Sequence, residues 1–186
     1  MDWLFYENKY ISQGKNLICG VDEAGRGPLA GPVCAAAVIM PEGLIIESVN
    51  DSKKLTAKKR EKLFDIIKNE AVCYSVAFAS ASEIDEINIL QASMLAMKNA
   101  YDEMLKKLPL WLEKNGFNLS EKIEITAIAD GTKCPEVSCS VRCEPKADGK
   151  YCEVMAASIL AKVARDRLML EYDKKYPEYG YAKHKG

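Results

Sequence analysis

The sequence predicts one mixed α/β domain, and three observations carry that prediction. Short apolar runs rich in β-formers alternate along the chain with longer segments whose apolar residues recur at steps of three and four. The 186 residues are 48% hydrophobic and 28% charged, an ordinary globular composition with enough chain for one substantial core. No internal repeat, low-complexity tract or long linker divides the chain.

The elements follow in order. The first ten residues are read as loose or as a short helix. Asn16 to Val21 (NLICGV) is a short strand ending at Asp22 and Glu23. The next segment, EAGRGPLAGP, holds three glycines and two prolines and reads as a turn-rich loop. Val33 to Met40 (VCAAAVIM) is a second apolar strand, closed by Pro41, Glu42 and Gly43. Thr56 to Glu70 carries Leu63, Phe64, Ile66 and Ile67 at helical spacing, with Thr56 placed to cap it. Ala71 to Ser80 is a strand without charge. A longer helix follows, with Ser82 as its expected cap and Ile84, Ile87, Leu90, Met94, Leu95 and Met97 as its apolar face. It is expected to run to about Leu108, where Pro109 interrupts it. Glu124 to Asp130 (EITAIAD) alternates as a strand and ends in Asp-Gly, and Val137 to Arg142 is a weaker strand. Val154 to Tyr176 is an Ala-rich helix with Ile159, Leu160, Val163, Leu168 and Leu170 on its apolar face, ended by Pro177. The order is therefore β, β, α, β, α, β, β, α.

Lys and Arg total 26 against 27 Asp and Glu, a net charge of −1. Global charge gives no support to a nucleic-acid partner, so any such contact must be a local patch. The start, MDWLFYENKY, lacks the basic end and apolar stretch of a signal peptide. No apolar run approaches the ~20 residues needed to span a bilayer. The seven cysteines are an odd number, and Cys19, Cys34, Cys73 and Cys152 lie in apolar runs, where Cys behaves as a small hydrophobe. A reducing cytoplasm with free thiols is the expectation. Cys134, Cys139 and Cys143 in CPEVSCSVRC raise a zinc site, but they lack paired CxxC spacing and a nearby fourth ligand, so a structural role is expected.

Four carboxylates carry the chemical interest. Asp22 and Glu23 follow a buried-looking strand and precede a glycine-rich turn; Asp130 ends another strand; Asp148 sits in the loop KADGK before the last helix. In open α/β sheets functional groups gather beyond strand ends. Acidic groups clustered there repel one another unless a cation binds between them, and hard oxygen ligands suit Mg²⁺ or Mn²⁺. For Asp130 and Asp148, Asp before Gly is also the commonest turn chemistry, and spacing alone favours the turn. Adjacent carboxylates such as Asp22 and Glu23 are poor turn builders. Taken alone, these residues indicate a divalent-metal hydrolase as one possibility.

The run GVDEAGRGPLAGPV, Gly20 to Val33, closely resembles the opening signature of the ribonuclease HII family. Further blocks resemble the family in its order: NDSKKLTAKKREKL from Asn50, EIDEINILQASMLAMKNA from Glu83, ADGTKCP from Ala129, KADGKYCEVMAASILAKVARDRLM from Lys146, and YPEYGYAKHKG from Tyr176. The resemblance covers nearly the whole chain. It implies an RNase H-like fold, a central mixed five-stranded sheet flanked by helices. It implies that Asp22, Glu23, Asp130 and Asp148 are the catalytic, metal-binding carboxylates of a two-metal Mn²⁺ or Mg²⁺ site. It implies that Gly25, Arg26 and Gly27 contact the 2′-hydroxyl beside the scissile bond, and that Ser52 and Lys53 contact phosphate. For Arg26 a buried arginine paired with Asp22 is the rival account, and for Ser52 and Lys53 it is a solvated helix-entry loop. The implied activity is endonucleolytic hydrolysis of the RNA strand of RNA–DNA hybrids, and cleavage 5′ of ribonucleotides embedded in duplex DNA, leaving 5′-phosphate and 3′-hydroxyl ends. Those duplexes are the implied partners; no membrane contact and a cytoplasmic monomer are expected.

Four further residues invite simpler accounts. His184 is the lone histidine and lies near the chain end; Asp166 is expected to pair with Arg165 or Lys162; Asp85 and Glu86 fit the acidic bias of a helix's first turn. Two departures stand out. Many bacterial members carry KGDS where this chain has KADG, which bears on Asp148. The family's HKG is normally followed by a Tyr that stacks on the junction sugar and then by a C-terminal helix, whereas this sequence stops at Gly186. The expectation is a single catalytic domain, residues 1–186, with its metal site intact and junction recognition weakened. Stacking is worth ~1–3 kcal/mol, so substrate use roughly ten- to hundredfold poorer is expected. A chain extended by the family's next residues should recover that loss in a cleavage assay; no gain would refute it.

Overall fold

In the computed structural model, which describes residues 16–41, 55–114 and 123–185, five strands among those residues form one mixed sheet. They are β1 (Asn16–Ala24), β2 (Val33–Ile39), β3 (Cys73–Ala79), β4 (Glu124–Asp130) and β5 (Ser140–Glu144), with helices α1 (Ala57–Glu70), α2 (Ala81–Lys114) and α3 (Cys152–Lys175). The order across the sheet is β3-β2-β1-β4-β5. The β1/β2 and β2/β3 pairs are antiparallel, and the β1/β4 and β4/β5 pairs are parallel. The chain order of strands and helices is the one the periodicity predicts.

Strand β2 explains why helices cover both faces. All seven of its residues are buried, and alternate side chains point to opposite sides of a pleated strand. Val33, Ala35, Ala37 and Ile39 pack with Ala92, Ala96, Met97, Ala100 and Met104 of α2. Cys34, Ala36 and Val38 pack with Leu63, Phe64 and Ile67 of α1 and with Met155, Ile159, Leu160 and Val163 of α3. The small Ala side chains let the helices lie close. At Gly20 on β1 an added Cβ would stand 2.0 Å from the Glu153 backbone, so α3 crosses β1 where only glycine fits.

Several boundaries differ from the expectations, each for a stated reason. Strand β1 runs on through Asp22 and Glu23 to Ala24, because those residues pair with Ala36, Ala35 and Cys34 of β2. Strand β5 is Ser140–Glu144, not Val137–Arg142, since parallel pairing from Thr126↔Ser140 to Asp130↔Glu144 sets its register. The cap of α2 is Ser80, not Ser82: its hydroxyl accepts from the Glu83 amide at 3.2 Å while the Glu83 carboxylate accepts from the Ser80 amide at 2.7 Å, a reciprocal capping box. Helix α2 continues through Pro109 to Lys114, anchored by buried Leu108 and Leu112. It breaks instead at Asn88 (φ 68°), whose side-chain oxygen accepts from the amides of Leu90 at 3.0 Å and Gln91 at 3.2 Å and so recaps the second half.

The expectation of free thiols throughout fails at one pair. The loop after β4 folds back along β5, placing the Cys134 and Cys143 Cα atoms 5.5 Å apart, and the two are joined in a disulfide. That pair has no thiolates to offer zinc. Cys139 donates its thiol to the Ser140 carbonyl at 3.3 Å. Cys19, Cys34, Cys73 and Cys152 are buried thiols, as their apolar settings predict.

Candidate active site

Strand register places the first two carboxylates. Val21 of β1 lies opposite Ala129 of β4 in a parallel pair, so Asp22 and Asp130 fall at the next step of the ladder. Both share the parity of Ile18 and Ile128, which pack against Val154 of α3. Two acids about 108 residues apart in sequence thereby stand on adjacent strands, on the face that α3 covers.

Asp22 is buried. Its Oδ1 accepts from the Glu23 amide at 2.8 Å, and the Ser158 hydroxyl on α3 donates to its carboxylate. Burial pushes the Asp22 carboxyl well above its ordinary value, and the charges of Glu23 and Asp130 push the same way. Glu23 is also raised by burial, partly offset by Arg26, whose Nη1 donates to Glu23 Oε1 at 3.3 Å. Glu23 Oε2 is buried with no hydrogen-bond partner among the described residues. The Arg26 side chain is half-exposed, so the buried pairing with Asp22 does not occur.

Asp130 Oδ1 accepts from the Ala147 amide at 2.8 Å. That bond pins the short 3-10 turn Ala147–Gly149, on which Asp148 sits buried. Glu144 braces the turn from β5: it accepts from Lys150 Nζ and, at 2.8 Å, from the Tyr151 hydroxyl. Asp148 is thus tied into the same neighbourhood, but it is not among the residues lining the cavity that holds the other three acids. Ser52 and Lys53 lie outside the described residues. His184 is exposed, and its part in the fold is through its carbonyl.

The cavity measures about 660 Å³. Asp22, Glu23 and Asp130 line one part, the loop Gly25–Arg26–Gly27 another, and Arg60, Lys162 and Lys185 supply cations. Among the described residues no three His, Cys, Asp or Glu side chains form a closed metal-holding group. The carboxylates nevertheless fit a divalent cation chemically. They are oxygen donors, they repel one another, and Glu23 keeps an unsatisfied buried oxygen facing this need.

Sequence reasoning missed the residues that α3 contributes. Ser158, Lys162 and Arg165 recur at steps of four and three, a polar stripe on an otherwise apolar helix, and that spacing was the available signal. Lys162 Nζ reaches Asp166 Oδ1 at 2.9 Å and the Lys185 carbonyl at 2.6 Å, so the expected partner of Asp166 is Lys162. Arg165 is fully buried. It donates to Ala30 O at 2.8 Å, Pro32 O at 2.9 Å, and His184 O and Lys185 O at 3.1 Å each. One guanidinium therefore fastens the glycine-rich loop to the chain's last described residues. Gly25 (φ +106°) passes so near that an added Cβ would stand 2.1 Å from Arg165 Nε.

A mixed five-stranded sheet with helices on both faces, and acids at the end of its central parallel pair, defines an α/β protein of the RNase H-like class. Its likeness to solved members of that class bears this out. A structure described as ribonuclease H2 from Pyrococcus horikoshii OT3 superposes with TM-score 0.63 at 31% identity, over 88% of this chain and 78% of that one. Bst-RNase HIII in complex with Mn²⁺ superposes with TM-score 0.70 over 87% of this chain and 56% of that one; at 18% identity it speaks for the fold alone. The Ribonuclease HII family model matches residues 19–186. A ribonuclease HII of Caldanaerobacter subterraneus subsp. tengcongensis is 48% identical over 182 residues, 98% of this chain and 69% of the relative. The chain belongs to the ribonuclease HII family, whose members are ribonuclease H hydrolases.

Proposed function

We propose that this chain hydrolyses the RNA strand of RNA–DNA hybrids and cuts duplex DNA on the 5′ side of an embedded ribonucleotide, leaving 5′-phosphate and 3′-hydroxyl ends. The observation that carries this reading is the union, in one cavity, of the Asp22, Glu23 and Asp130 carboxylates with the cations of Arg60, Lys162 and Lys185. An acidic group alone would repel a polyanion; the basic residues beside it supply the local patch that a net charge of −1 does not.

Asp22, Glu23, Asp130 and Asp148 would hold two divalent ions, Mn²⁺ or Mg²⁺, the hard cations that carboxylate oxygens suit. Such ions, when bound, lower the pKa of a water for attack on phosphorus and stabilise the departing 3′-oxygen. The chain's own groups prepare this chemistry. Ser158 and the Glu23 amide orient the Asp22 carboxylate. Asp130 holds the turn that carries Asp148. Lys162, Arg60 and Lys185 grip backbone phosphates. Gly25 and Gly27 bring bare backbone to the ribose, where the 2′-hydroxyl separates RNA from DNA. Arg26, half-exposed, donates from Nη1 to the largely buried Glu23, and its planar fork can offer further donors to a phosphate.

The test is cleavage of a DNA duplex carrying one ribonucleotide, with Mg²⁺ or Mn²⁺, beside an all-DNA duplex and an Asp22→Asn variant. Cutting 5′ of the ribonucleotide, reduced at least about a hundredfold in the variant, is the expected result. Equal cutting by Asp22→Asn, or equal cutting of the all-DNA duplex, would overturn the assignment.

A further inference from the structure

Leu29 stands at the tip of the glycine-rich loop with its side chain fully exposed to solvent. A scattered surface leucine needs no explanation, but the setting of this one differs. Gly27 and Pro28, just before it, line the cavity. Just after it the backbone is fastened: Arg165 donates to Ala30 O at 2.8 Å and to Pro32 O at 2.9 Å. Gly31 (φ +81°) presses so close to Met169 that an added Cβ would stand 2.5 Å from its sulfur. The loop therefore presents one apolar side chain, on an anchored backbone, at the rim of the site, where nothing among the described residues covers it.

We infer that Leu29 is a substrate-contacting specificity residue that lies in the minor groove of the bound duplex, against the sugars and base edges of the pair flanking the ribonucleotide. The inference rests on the reading of Gly25–Gly27 as the 2′-hydroxyl reader. In A-form geometry 2′-hydroxyls and base edges face a wide, shallow minor groove, so a side chain two residues beyond Gly27 on the same anchored loop meets that groove. A B-form minor groove is only about 6 Å wide. Leucine has no charge to be drawn to phosphate, and its bulk is accommodated where the ribonucleotide widens the groove. It reads shape, whereas the glycines read the hydroxyl.

The experiment compares wild type, Leu29→Ala and Leu29→Met on the single-ribonucleotide duplex, with melting temperatures measured in parallel. Loss of the apolar contact is expected to raise KM about five- to twentyfold in Leu29→Ala with kcat within about twofold. Leu29→Met restores KM, and all three melt together because the side chain supports nothing in the fold. An N2-methylguanine next to the ribonucleotide sets a methyl group in the minor groove; it should slow wild type more than Leu29→Ala. Unchanged KM in Leu29→Ala beside an active wild type overturns the inference while sparing the site. A raised KM accompanied by a lower melting temperature overturns it in favour of a structural role. A wild type that neither binds nor cuts the duplex overturns the site reading, and this inference with it.

Discussion

A carboxylate taken out of water and set beside two others opposes folding for as long as it stays ionised, and Asp22 is in that position. Its raised pKa means that the native state holds a proton more firmly than the unfolded chain does. Stability is therefore gained as pH falls through the raised folded value towards 3.8, and lost as pH rises from 3.8 up to that value. In metal-free protein, Asp22→Asn should accordingly melt higher at pH 7, by ~1 kcal/mol or about 2–4 °C. The gain should vanish near pH 3.8, and Mn²⁺ should raise the melting temperature of wild type more than that of the variant. A variant that melts lower than wild type at pH 7 would contradict this account. Cys34, by contrast, is simply a core residue: burial pushes its thiol up to about 12, so it stays protonated and inert.

Among the elements, β1 and α2 show how pairing and capping displace sequence expectations. The stretch NLICGV reads as a strand because it is apolar, but hydrogen bonding to β2 carries the ladder three residues further and fixes the Asp22 and Glu23 backbone within the sheet. Rigid strand backbone is what holds a charged pair at fixed spacing. In α2 the apolar pattern is continuous across Asn88, so periodicity cannot reveal the break; the sign is the side chain itself, since Asn tolerates positive φ and caps well. Asn88→Ala removes both capping bonds and leaves alanine in a strained conformation. It should cost about 1–2 kcal/mol of stability in denaturant titration, with the cleavage rate of the remaining folded protein unchanged. No loss would mean that the break is set by packing alone.

At the scale of the whole molecule, the sheet gathers residues that the chain scatters. The parallel β1/β4 pair sets Asp22 beside Asp130, and the Ala147 amide brings the Asp148 turn to Asp130. Arg60 comes from α1, Lys162 from α3 and Lys185 from the segment that Arg165 ties down. A net charge near zero keeps non-specific attraction to polyanions weak, so affinity must come from local cations such as these. Lys162→Ala should weaken binding of a labelled RNA–DNA hybrid roughly tenfold and lower the slope of log affinity against log salt by about one. An unchanged slope in fluorescence anisotropy would show that Lys162 does not neutralise a phosphate.

By itself the sequence determined the element order, the apolar character of its strands and the acids at strand ends. Those features follow from periodicity, propensity and turn chemistry, which act over a few neighbouring residues. Only the tertiary structure decided where β5 pairs, that Cys134 meets Cys143, that Arg26 rests on Glu23, and that Ser158, Lys162 and Arg165 serve the site and its loop. Each of these depends on groups brought together across the chain. Strand register and helix packing set such contacts, and neither leaves a local trace beyond a polar stripe on an apolar helix.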